Sequence, residues 1–158
     1  MSNTIELGNE VIVSDPCYTR GTWCSGTING VKPGTYRTSL EYMDDRVSEL
    51  KVIHESKNDY RAKWEIQDFE VGVDSGQAGV FDSSIYPYGE TGDSEDLNTF
   101  YGKCCQATRY NQGGSVAGKG FVSSSGWGDG GYQCYVAKDK NGSIYGIRII
   151  YIYDEEEG

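Results

Sequence analysis

The sequence predicts an α+β fold that is mostly antiparallel β, a sandwich or strongly bent sheet with one short helix. Three observations carry this. Thirteen tyrosines, three tryptophans and 22 glycines against three prolines favour strands joined by tight turns. Several stretches alternate apolar and polar residues with the period of a half-buried strand. One stretch has helical spacing instead. At 158 residues the chain is expected to form a single domain over 1–153, with an acidic tail at 154–158.

Val11-Ile12-Val13 reads as a short buried strand, stopped at Ser14-Asp15-Pro16 because proline halts ladder pairing. Residues 17–33 read as irregular. Tyr36, Thr38, Leu40 and Tyr42 alternate with Arg37, Ser39 and Glu41, which defines a strand. Asp44-Asp45 is the expected turn and Val47–His54 the returning partner. Lys63–Val73 carries Trp64, Ile66, Phe69, Val71 and Val73. The spacing slips between Ile66 and Phe69, so a bulge or turn is expected near Gln67-Asp68. The block Asp74–Asp82 follows at once, and Ser83–Asp93 reads as loop.

Leu97, Phe100, Tyr101, Cys104 and Cys105 fall at i, i+3, i+4, i+7 and i+8 and predict the helix near 94–108, capped by Asp93 or Ser94. The final hairpin is Tyr132–Lys138 and Ser143–Tyr153 around Asp139-Lys140-Asn141-Gly142, where the Asn-Gly step suits positive φ. Apolar residues on both faces of its second strand predict a strand covered on two sides.

A formal charge of −10 with no basic cluster to offset it argues against nucleic-acid binding. The start, Met-Ser-Asn-Thr-Ile-Glu-Leu, has neither a basic region nor an apolar core of a signal peptide. The longest apolar run, Ile147–Tyr153, contains Arg148 and is too short to span a bilayer. A cytoplasmic protein without membrane contact is therefore expected. Five cysteines, an odd set without a C-x-x-C pair and with His54 as the single histidine, fit buried free thiols better than zinc ligands or disulfides. No motif calls for a cofactor or a metal.

The densest feature is Ser123-Ser124-Ser125-Gly126-Trp127-Gly128-Asp129-Gly130-Gly131-Tyr132. Its backbone N–H groups suit an anion-binding nest, with Trp127 as a stacking face and Asp129 as a carboxylate. With Val13-Ser14-Asp15-Pro16, Lys32-Pro33-Gly34-Thr35-Tyr36, and Gly72-Val73-Asp74-Ser75-Gly76 through Phe81-Asp82, it forms an ordered set of four signatures. In this order they resemble the uncharacterised bacterial and phage family catalogued as domain of unknown function 4241. The likeness spans about residues 11–152. It implies a compact strand-rich domain and supplies no catalytic residues. The chain departs from the family pattern in being shorter, in the cysteine-containing segment 17–24 and in the helical stretch at 94–108.

These residues lead to a non-catalytic binding protein that captures a small anionic or nucleotide-like ligand. The expected site comprises Asp15, Trp23, Asp74, Asp82, Ser125, Gly126, Trp127, Gly128, Asp129 and Arg109. Aromatic rings would stack on a base, and arginine would neutralise charge. Sequestration of a host signalling nucleotide follows from the phage resemblance alone. A second reading is an acidic protein-interaction module, such as an inhibitor or immunity protein, whose tyrosines meet a basic partner. A third is a metal-dependent hydrolase using the aspartates, although each also suits a local turn cap. Homodimerisation through the final apolar strand is a further expectation.

Overall fold

A computed structural model describes residues 4–22, 25–109 and 111–153. Among the described residues, eleven strands form two antiparallel sheets. They are β1 (Thr4–Leu7), β2 (Val11–Ser14), β3 (Gly26–Ile28), β4 (Gly34–Met43), β5 (Arg46–His54) and β6 (Trp64–Val73). β7 (Gln77–Asp82), β8 (Gly113–Val116), β9 (Gly120–Ser124), β10 (Gly130–Lys138) and β11 (Ile144–Ile150) complete them. One sheet has the order β1-β4-β5-β11-β10-β6 and the other β3-β2-β7-β9-β8. The single α-helix among the described residues, α1, is Phe100–Arg109. This is the mostly antiparallel α+β sandwich that the sequence predicts.

The sheets share one core. Val11, Val13, Val80 and Phe121 of the five-stranded sheet meet Tyr36, Leu50, Val52, Ile147 and Ile149 of the six-stranded one. Ile12, Phe81 and Val122 point the opposite way, into a second cluster with Tyr86, Cys104 and Phe100. That cluster lies beneath α1, which packs on β8 and β9. β2 and β7 are therefore buried at every position, as strands covered on both faces must be.

The two long hairpins form around the predicted turns. Arg37 pairs with Ile53 and Leu40 with Leu50, and Asp44 and Asp45 both turn at positive φ (50° and 70°). The slip in β6 is real: pairing with β10 passes from Glu70–Gln133 directly to Ile66–Tyr135, leaving a bulge over 67–69. In the last hairpin the Asp139 carboxylate accepts from the Asn141 and Ser143 N–H groups, and Gly142 takes φ 86°. β11 lies between β5 and β10, so both of its edges are paired and neither is open to a second copy.

Several elements differ from expectation. Residues 17–33 include β3, an edge strand of three residues. β1, β8 and β9 are additional strands, and Ser123 and Ser124 belong to β9 rather than to the glycine loop. The helix begins at Phe100, later than predicted, because Thr99 is its cap: the Thr99 hydroxyl accepts from the Gly102 N–H at 3.1 Å. Asp93 instead closes a local turn with Glu95, and Leu97 is exposed ahead of the helix. The stripe packed on the second cluster is the buried Cys104 with the partly buried Phe100 and Ala107, and Cys105, half-buried, stands outside it.

The registers give the sandwich two distinct ends. The upper end carries the Asp44-Asp45 turn, the finish of β6 and the start of β10. The lower end carries the 139–142 turn, the finish of β5 and the starts of β4 and β6.

Candidate functional site

Asp15 organises the upper end. It is fully buried, and its carboxylate accepts four hydrogen bonds. The donors are the N–H groups of Asp74 and Ser75 at 2.7 Å each, the Ser75 hydroxyl at 2.7 Å and the Cys17 N–H at 2.9 Å. Four donors use most of what a carboxylate offers. Asp15 therefore clamps the end of β2 to the β6–β7 turn and presents no free oxygen to a ligand. The same turn leads to the glycine loop, because the Ser125 N–H donates to the Gly76 carbonyl at 3.1 Å.

The loop over 125–130 is shaped by its carbonyls. The Tyr132 hydroxyl donates towards both the Ser125 carbonyl (3.0 Å) and the Gly128 carbonyl (2.7 Å). The Gly128 N–H returns to the Ser125 carbonyl at 2.9 Å. Gly126 sits at φ 57° against the core, where a Cβ would meet Tyr151 Cβ at 3.0 Å and Ile152 Cγ1 at 3.1 Å. Trp127 is lifted outward at 68 % exposure. The Arg46 guanidinium lies 4.3 Å from its ring centre and donates to the Gly126 carbonyl at 3.1 Å. The outcome is an anchored cation–aromatic pair rather than an inward-facing anion nest. Asp44, Asp45, Asp74 and Asp129 are exposed around it.

Asp15, Asp74, Ser125, Gly126, Trp127, Gly128 and Asp129 thus gather at one end. Asp82 does not join them: it lies at the opposite end of β7, where it accepts from the Gly8 N–H (2.6 Å), the Ser84 N–H (3.1 Å) and the Ser84 hydroxyl. Burial would raise the Asp82 pKa, but these donors and Lys119 outweigh it and hold the carboxyl below its usual range. Arg109 ends α1 and faces Glu95 at 4.0 Å. Trp23 lies outside the described residues. Among the described residues, no three His, Cys, Asp or Glu side chains are placed to share a metal ion.

The remaining candidates are structural. Arg20 donates to the carbonyls of Ser83 and Tyr86 and packs over Tyr88. His54 is buried, its Nδ1 accepting from the Ser56 N–H at 3.1 Å, so its Nε2 carries the proton and faces the Pro33 carbonyl at 3.1 Å. Cys17 and Cys134 are pushed up to about 12, foremost by burial, and burial also raises Cys104. Such thiols are poor nucleophiles.

Sequence reasoning passed over a second feature beside the loop. On the outer face of the six-stranded sheet, Arg148 pairs with Glu49 at 3.1 Å and lies between the rings of Trp64 (4.6 Å) and Tyr135 (5.3 Å). Its Nε is buried with no hydrogen-bond partner. An arginine inside an otherwise apolar run was the available signal. Within the described residues no helix is long and apolar enough to cross a membrane. No family model matches the chain, and neither a curated protein nor a solved structure is significantly similar to it.

Proposed function

We propose that this chain is a non-catalytic, acidic interaction module that engages a basic protein partner at the upper end of the sandwich. The observation that supports this most is Trp127. A large aromatic ring at 68 % exposure on a loop tied down by Tyr132 and Arg46 is a preordered anchor. Exposed, rigid aromatics dominate binding energy at protein interfaces. A net charge of −10 would steer a basic partner towards it and raise the association rate.

The arginines support the same reading. Towards the upper end, Arg46 donates to the Gly126 carbonyl and Arg148 donates to Glu49. An anion arriving at the upper end would have to displace one of these contacts.

Affinity selection of a random peptide library on the immobilised protein tests the reading. The expected winners are basic, bind more weakly as salt rises, and lose binding to Trp127→Ala, which leaves the net charge unchanged. Winners without basic bias, or binding indifferent to Trp127→Ala, would overturn it.

Capture of a small anionic ligand is the second reading, and one observation favours it. An open cavity of about 420 Å³ at the lower end is lined by Lys63, Lys138 and Lys140, beside Glu65 and Asp139. Lys138 is partly committed to Glu65 at 3.4 Å. A nucleotide that binds, and is lost with Lys63→Gln and Lys140→Gln but kept with Trp127→Ala, would put this reading first. The sequestering, phage-linked form of it draws on the family resemblance alone.

A further inference from the structure

We infer that the cleft beside Arg148 is a receptor for one cationic side chain, an arginine or lysine, of a protein partner. This deepens the basic-partner reading and rests on it. The cleft opens on the outer face of the six-stranded sheet with a volume of about 300 Å³. Its lining includes Glu41, Tyr42, Glu49, Arg148, Ile150 and Tyr153.

Charge is the first argument. Glu41 and Glu49 lie directly opposite each other across β4 and β5. Like charges in that relation are unfavourable. Arg148 neutralises Glu49 at 3.1 Å, whereas Glu41 forms no ion pair among the described residues. Two carboxylates and one guanidinium leave the cleft with one uncompensated negative charge. Lys51, the other cation beside Glu49, is itself paired with Asp59 at 2.5 Å; burial raises the Glu49 pKa against Arg148 and Lys51, and Glu41 adds to the rise.

Shape is the second. Tyr42 and Tyr153 border the cleft and are each about half exposed, at 54 % and 51 %. The Tyr153 hydroxyl shares a 2.6 Å hydrogen bond with that of Tyr135, which fixes its ring. Ile150 supplies an apolar surface for a methylene stem. Aromatic rings, an apolar lining and one unpaired carboxylate are what a long cationic side chain requires, since its stem seeks apolar contact and its head an anion or a ring face. The cleft also adjoins the Trp127 loop, because Ile152, another lining residue, lies against Gly126.

The test uses a capped Gly-Arg-Gly peptide and its citrulline counterpart, which keeps the shape and removes the charge. Binding is followed by chemical-shift perturbation of the full chain. The arginine peptide is expected to shift residues of the cleft, with at least about tenfold preference over citrulline, a discrimination within reach of one desolvated cation–aromatic contact. A Glu41→Gln, Tyr42→Ala double variant should lose that preference. Both residues are exposed, so an unchanged melting temperature verifies the fold. No shift in the cleft, equal binding of citrulline, or full binding by the double variant would overturn the inference. Trp127→Ala should leave this small probe unaffected. The library selection judges the wider reading separately, so winners that need Trp127 but ignore the double variant would sink the cleft alone.

Discussion

The Asp15 carboxylate accepts the Asp74 backbone N–H at 2.7 Å, across 59 residues of chain. With Ser75 and Cys17 it closes a bond set that no local turn could make. The upper end of the sandwich is held by this side chain acting as backbone acceptor.

Asp15→Ala therefore orphans three backbone N–H groups at once. An unsatisfied buried donor costs about 1–3 kcal/mol, so the variant should lose about 3–5 kcal/mol, given partial solvent access. Urea unfolding checks it: the midpoint should fall with little change in slope. A loss below about 1 kcal/mol would remove Asp15 from its organising role.

Asp82 predicts a pH dependence. Its folded-state pKa is depressed, so its contribution is present above the ordinary carboxylate value and is lost as pH falls through the depressed one. Asp82→Ala should lower stability by about 1–2 kcal/mol at neutral pH, the usual range for a cap. The gap from wild type should narrow below about pH 4. Melting temperatures across that range decide it, and a constant gap would refute the ionised cap.

Residue patterning made the long hairpins legible because each of them buries one face against the core and turns on residues suited to positive φ. Leu40 opposite Leu50 and Cys134 opposite Ile149 show how period-2 spacing becomes register. The short strands lacked that signal. β8 is Gly-Gly-Ser-Val, and β9 buries Gly120 and Ser123, whose small side chains carry no hydropathy contrast. The site was legible only in part. Asp15, Asp74 and the glycine loop converge as expected, but Asp82 lies a full strand away because β7 separates it from Gln77. Arg46 and Tyr42 were unreadable as site residues, since their roles arise where a hairpin end meets a loop about 80 residues on.

Thiol chemistry offers a third check. Cys17 and Cys134, pushed up to about 12, and Cys104, also raised, should resist alkylation in the native protein near pH 8. An ordinary thiol near 8.5 has a far larger thiolate fraction, so labelling at these three should be slower by at least about a hundredfold. Mass mapping after timed labelling reads each site. Fast modification of Cys134, whose side chain is fully buried, would mean that β10 opens readily.

The glycine loop supplies the last prediction, because two neighbouring glycines differ in what surrounds them. Gly126 combines φ 57° with close surroundings: an added Cβ would lie 3.0 Å from Tyr151 Cβ, 3.1 Å from Ile152 Cγ1 and 3.1 Å from the Val47 carbonyl. Gly128, at φ 95°, faces open space. Alanine at either position is strained, at about 1–2 kcal/mol, but only Gly126→Ala adds overpacking of about 1–3 kcal/mol. Thermal unfolding should therefore rank Gly126→Ala well below Gly128→Ala. Equal losses would mean that the loop is not seated on Tyr151 and Ile152. Trp127 would then lack the rigid base that makes it an anchor.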